Sequence, residues 1–189
     1  WMIGDPKKGH SQLDLSAVRS VGKHIARGLA TLHDVNLIHH DLKPENIIVT
    51  PQCQVKLIDY GITSNLNVHE GKTSKSTGSI PYIAPEVAEG EDHDTKADAW
   101  SLGVTLFYMV TKKRPFNEED QCTQALVLLE IIAFAESGYT IQSRYQKELE
   151  ESGIKLPPEL WEVLNQLICH KDRRITVNAA LQLPFFTEE

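Results

Sequence analysis

The sequence predicts a mainly α-helical domain with one small β-hairpin. Three observations carry this. Apolar residues recur at three- and four-residue spacing over 13–33 and again from Leu160 to Leu167. Residues 94–112 are apolar almost all round, as in a helix buried through the middle of a domain. Runs rich in β-formers are confined to 47–49 and 55–58. The 189 residues are enough for one well-buried core and do not demand a second domain.

In chain order, Val18, Val21, Ile25, Leu29 and Leu32 form the stripe of a first helix over 13–33, with Asp14 or Ser16 as its N-cap. Ile47-Ile48-Val49 and Val55-Lys56-Leu57-Ile58 pair as a hairpin across the turn-like Thr50-Pro51-Gln52. Residues 61–81 are rich in Ser, Thr, Asn, Gly and Lys. They predict a long mobile loop, which in a compact domain is usually functional. Trp100, Val104, Phe107, Tyr108 and Val110 mark the buried helix over 94–112. A further helix is expected over 118–136, a polar surface excursion over 137–157, a helix carrying Leu160, Val163, Leu164 and Leu167, and a last short helix near 176–182 that stops at Pro184. No repeat or low-complexity tract interrupts this order.

Composition narrows the classes. Hydrophobic content of 41% and charged content of 24% are ordinary globular values. A net charge of −7 argues against nucleic acid as a partner. No apolar run approaches a membrane span, and WMIGDPKKGH lacks the architecture of a signal peptide. Three scattered cysteines, Cys53, Cys122 and Cys169, read as reduced thiols, so a cytoplasmic or nuclear setting is expected.

The chemistry concentrates in His39-His40-Asp41-Leu42-Lys43-Pro44-Glu45-Asn46 and in Asp59-Tyr60-Gly61. A carboxylate to take a proton, a cation for a phosphate, and an amide plus a carboxylate for metal ions are the parts that phosphoryl transfer needs. Further along stand Ala84-Pro85-Glu86, then Asp98-Ala99-Trp100-Ser101-Leu102-Gly103, Arg114-Pro115-Phe116 and Arg174-Ile175-Thr176. In this order the motifs resemble the C-terminal lobe of a eukaryotic-type Ser/Thr protein kinase catalytic domain, over essentially the whole chain. The fold class implied is a mainly α, protein-kinase-like C-terminal lobe with a small β-hairpin at the active site.

The resemblance implies roles. Asp41 would accept or orient the proton of the substrate hydroxyl, and Lys43 would neutralise charge on the transferring phosphate. ATP would lie against Lys43, Glu45, Asn46, Ile48, Ile58 and Asp59, with Ile48 and Ile58 in the floor of the adenine site. Asn46 and Asp59 would hold Mg²⁺. Lys43, two residues after Asp41, and Ser79, at the position of a hydroxyl that contacts the catalytic aspartate, imply Ser/Thr protein substrates. Glu86 is expected to pair with Arg174.

Three positions depart from the family pattern. His40 replaces an arginine that pairs with an activation-loop phosphate, or is a tolerated loop histidine. Tyr60 replaces a phenylalanine and brings a hydroxyl that needs a partner. Lys75 occupies the usual phosphothreonine position, flanked by Thr73, Ser74, Ser76 and Thr77. No Gly-rich phosphate loop, anchoring lysine or regulatory glutamate precedes the motif, and residues 1–5 resemble the stretch after an interlobe hinge. The expectation is therefore a lobe truncated at or near the hinge, with the N-terminal lobe absent but needed for activity. The alternatives are a kinase-like scaffold that binds partners and a small-molecule phosphotransferase.

Overall fold

The computed structural model describes residues 14–50, 52, 54–68, 72–73, 77–116 and 123–188. The first helix, α1 (Leu15–His33), opens at Asp14, whose carboxylate accepts from the Ala17 N–H at 2.7 Å. Its buried face is Val18, Gly22, Ile25, Ala26, Leu29 and Ala30. Strand β1 (Leu37–Ile38) leads into the segment 39–46, which ends in a short 3₁₀ turn over Pro44–Asn46. Strands β2 (Ile47–Val49) and β3 (Val55–Leu57) form the expected antiparallel hairpin, with Ile47 opposite Leu57 and Val49 opposite Val55. A second pairing was not legible in the sequence. Strand β4 (Ser64–Asn65) lies antiparallel to β1, with Ile38 opposite Ser64. Two residues on each side are too few to leave an alternating pattern.

Helix α2 (Pro85–Ala88) is one turn opened by a proline at its first position. Helix α3 (Lys96–Thr111) fulfils the expectation of a central buried helix, since every residue but Lys96 and Tyr108 is buried. It packs against α1 on one side and α6 (Pro158–Leu167) on the other. Gly103 permits that second contact: a Cβ there would meet Ile168 Cγ1 at 2.7 Å and Leu167 Cβ at 2.9 Å.

The helix expected over 118–136 is α4 (Gln124–Ser137); residues 117–122 lie outside the described residues. The surface excursion expected over 137–157 is mostly exposed, but it holds a helix that the sequence did not reveal. Helix α5 (Ile141–Glu151) runs through it, capped reciprocally by Thr140 and Ser143. Only Ile141, Tyr145 and Leu149 face inward, a thin stripe that the surrounding polar residues hide in the sequence. The final short helix is α7 (Val177–Ala180). Pro184 does more than stop it, because it opens one more turn, α8 (Pro184–Thr187), that buries Phe185 and Phe186. Among the described residues no single helix is long and apolar enough to cross a membrane.

Candidate active site

The segment between β1 and β2 gathers the site, and α3 holds it in place. Asp98, one of the first residues of α3, is fully buried. Its Oδ2 accepts from the His39 N–H at 2.8 Å and from His33 Nε2 at 2.9 Å, and its Oδ1 accepts from the His40 N–H at 2.9 Å. Burial pushes its pKa upward, and this is the largest single effect. The hydrogen bond and attraction from His33, together with the two backbone N–H groups, outweigh it and hold the carboxyl below the usual range. The carboxylate thus fixes two successive peptide groups immediately before Asp41. At the same place His40 adopts a left-handed backbone, φ 68°, which a non-glycine residue keeps only when its surroundings impose it.

Asp41 is the hub. Its Oδ2 accepts from Lys43 Nζ at 2.7 Å and from Asn46 Nδ2 at 2.9 Å, while its Oδ1 accepts from Ser79 Oγ at 2.8 Å. Lys43 Nζ also donates to Ser79 Oγ at 2.7 Å, which closes a ring of three side chains. Asn46 gives its other amide hydrogen to the Asp41 carbonyl at 2.8 Å. Partial burial, the largest effect, raises the Asp41 pKa. The bonds from Lys43, Ser79 and Asn46 more than offset this and leave it lowered, so Asp41 is a carboxylate at neutral pH.

Ser79 lies 38 residues from Asp41, and the contact depends on a close backbone approach. Gly78 has φ +128°, and a Cβ there would sit 2.7 Å from the His40 carbonyl oxygen. Only glycine lets the segment 77–82 come this near to the Asp41 segment.

The remaining expected site residues occupy one edge. Ile58 donates its N–H to the Asn46 carbonyl at 3.0 Å, which ties the end of the hairpin to the 44–46 turn. Ile48, on β2 opposite Lys56, and Ile58 are both half-buried. Asp59 has a left-handed backbone, φ 64°, and an exposed side chain whose Oδ1 accepts from the Gly61 N–H at 3.3 Å. Glu45 is exposed, 4.0 Å from Arg114 Nη2. The Tyr60 hydroxyl finds the partner it needs, donating to the Leu57 carbonyl at 3.1 Å, and its ring lies 5.1 Å from that of His39. His40 is buried, with its ring edge-on to His93 at 5.3 Å. Thr73 pairs with His93 through two backbone hydrogen bonds of 3.0 Å. Lys75, Ser74 and Ser76 lie outside the described residues.

The expected link between Glu86 and Arg174 is present. Arg174 Nη1 meets Glu86 Oε1 at 2.5 Å and Nη2 meets Oε2 at 3.0 Å, with both side chains buried.

Comparison with known proteins agrees with this geometry. Residues 5–186 match the protein kinase domain, and the chain belongs to that family. It is 40% identical to human ribosomal protein S6 kinase alpha-1 over 105 residues, 55% of this chain and 14% of that protein. It is 34% identical to mouse sperm motility kinase 3A over 154 residues, 77% of this chain and 29% of that protein. It is 28% identical to the serine/threonine-protein kinase cds1 of Schizosaccharomyces pombe over 183 residues, 94% of this chain and 37% of that protein. The chain therefore spans well under half the length of these relatives.

Proposed function

We propose that this chain is the C-terminal lobe of a serine/threonine protein kinase, which transfers the γ-phosphate of ATP to Ser or Thr hydroxyls of protein substrates. The observation that carries the reading is the Asp41 carboxylate held at once by Lys43, Asn46 and Ser79. A substrate hydroxyl beside Asp41 would give up its proton to Oδ1 or Oδ2 as its oxygen attacks the γ-phosphorus and the bond from that phosphorus to the β-phosphate oxygen breaks, with ADP as the leaving group. Lys43, already 2.7 Å from that carboxylate, would neutralise charge on the phosphate in flight. Catalysis of this kind is positioning and electrostatics, which is what a hub of short hydrogen bonds supplies.

The residues present suit magnesium. Asn46 spends both amide hydrogens on Asp41, which leaves its carbonyl oxygen to meet a cation, and the Asp59 carboxylate is exposed. Two oxygen ligands are few, and Mg²⁺ accepts such sites because it keeps water and substrate phosphates in its shell. When bound, the ion would neutralise the β- and γ-phosphate oxygens. Ile48 and Ile58 offer an apolar floor for an adenine. Lys43 and the Ser79 contact support Ser or Thr acceptors, and the few scattered cysteines suit a cytoplasmic or nuclear setting.

The sequence of residues 1–38 holds no Gly-rich phosphate-loop pattern, and among the described residues up to 38 no strand carries a lysine. We therefore expect residues 1–189 alone to transfer no phosphate at a useful rate, and a polypeptide that joins them to an N-terminal kinase lobe to do so. The test offers ATP, Mg²⁺ and a Ser/Thr peptide mixture to both. Asp41-dependent turnover by residues 1–189 alone would overturn the lobe dependence. Absence of turnover and of nucleotide binding in the two-lobed protein would favour the scaffold reading instead.

A further inference from the structure

Helix α4 is apolar on both of its faces. One face, formed by Val127, Ile131, Phe134 and Ala135, is buried in the core. The other shows Leu126 and Leu129 to solvent, 52% and 61% exposed. A helix covered on one side ordinarily keeps a polar outer face. Tyr139, just beyond the end of α4, is 69% exposed, so three of the five large exposed apolar side chains among the described residues fall between 126 and 139. Beside them a groove of about 430 Å³ opens between α4 and α5, lined by Ala133, Phe134, Ser137, Tyr139, Ser143 and Arg144. Its wall is preformed. The Arg144 guanidinium lies 5.7 Å from the centres of the Phe116 and Phe134 rings and 5.3 Å from that of Tyr145, and it ion-pairs with Glu130. A rigid wall reduces the ordering cost of binding.

Charge selects the occupant. Residues 123–151, which form both helices of this face, carry Glu130, Glu136, Glu148, Glu150 and Glu151 against Arg144 and Lys147, and the whole chain carries a net −7. A second copy would set like charges against each other, whereas a basic segment would complement them. We propose that the α4–α5 face docks an amphipathic helix of a partner protein, with large apolar side chains at three- and four-residue spacing and flanking Lys or Arg. One apolar side chain would enter the groove beside Tyr139, and the next would lie on Leu126 and Leu129. None of these residues takes part in the proposed phosphate transfer.

The test uses a synthetic amphipathic helix of leucine and lysine as probe, fluorescein-labelled and read by anisotropy. Its scrambled form and a leucine–glutamate counterpart serve as controls. The double variant Leu126→Ser with Leu129→Ser removes apolar surface without changing charge, and both positions are exposed, so the fold is retained; circular dichroism checks this. Binding should weaken about tenfold or more in the double variant, the loss expected when anchors at an interface are truncated. It should be unchanged by Val35→Ser, at an exposed apolar residue elsewhere. The leucine–glutamate helix should not bind. Equal binding to the double variant, or equal binding of the scrambled peptide, would overturn the proposal. So would sedimentation showing a wild-type dimer that the double variant lacks, because a second copy would then be the occupant.

Discussion

Removing one member of the Glu86–Arg174 pair should be among the most destabilising single changes in this domain. Arg174 is fully enclosed. Besides its two bonds to Glu86 it donates from Nε and Nη2 to the Cys169 carbonyl at 3.1 and 2.9 Å, and from Nη1 to the Lys96 carbonyl at 3.0 Å, with its guanidinium 5.0 Å from the Trp100 ring centre. Those carbonyls remain after Glu86→Ala, but the carboxylate that balances the buried cation does not. Breaking such a pair costs about 3–5 kcal/mol. In a domain of this size 1 kcal/mol shifts Tm by about 2–4 °C, so a fall of roughly 6–20 °C is expected. Arg174→Ala strands the carboxylate instead and should cost a similar amount, and the double variant should lose clearly less than the sum. The pH dependence follows from the same pair. Burial, the largest effect, raises the Glu86 pKa, but the charge and hydrogen bonds of Arg174 leave it below its ordinary 4.5. The pair's contribution is therefore complete above the unfolded-state value and is lost as pH falls through the lower folded-state value. Thermal melts from pH 7 down to pH 3 for wild type and both single variants check the scheme. Strictly additive losses, or a Glu86→Ala protein that keeps the wild-type acid sensitivity, would refute it.

Further outcomes concern the site. In a polypeptide carrying both lobes, Asp41→Ala should lower kcat by about 10²-fold or more, the scale of a positioned proton acceptor. Asp59→Ala should abolish Mg²⁺-dependent ATP use; steady-state kinetics decide both. Asp98→Ala should lower Tm as well as turnover, since it leaves the buried His39 and His40 N–H groups without their acceptor at about 1–3 kcal/mol each. A variant with wild-type Tm would show that the clamp is not needed. Phosphatase treatment should leave most activity, because His40, whose ring is buried against His93, stands where the family resemblance implies a phosphate-pairing arginine. Loss of nearly all activity, restored by rephosphorylation at Thr73, Ser74, Ser76 or Thr77, would contradict this.

The site was more legible in the sequence than the scaffold that holds it, and the reason is physical. Asp41, Lys43 and Asn46 lie within six residues, so their types and spacing alone specify a short loop of chemistry. Ser79 and Glu86 were legible only through resemblance, since nothing local reveals a partner 38 or 88 residues away. The clamp by Asp98 on the His39 and His40 peptides was not foreseen, although Asp98 stood in a recognised motif. Backbone N–H groups leave no trace in residue identity, and an acidic residue opening an apolar helix reads first as a favourable neighbour of the helix dipole. Helix α5 was missed for a related reason. Three inward residues at four-residue spacing are a weak periodic signal, and Thr140 and Ser143 become a capping box only once the chain is folded. The four-residue turns α2 and α8 are too short for any period, and Pro184 reads as a breaker when it is a starter. What the sequence conceals here is the set of long-range hydrogen bonds that make a short reactive segment rigid. In the proposed phosphate transfer the Asp41 hub would serve only because Asp98 on α3 and Gly78 beside His40 hold its two halves in one place.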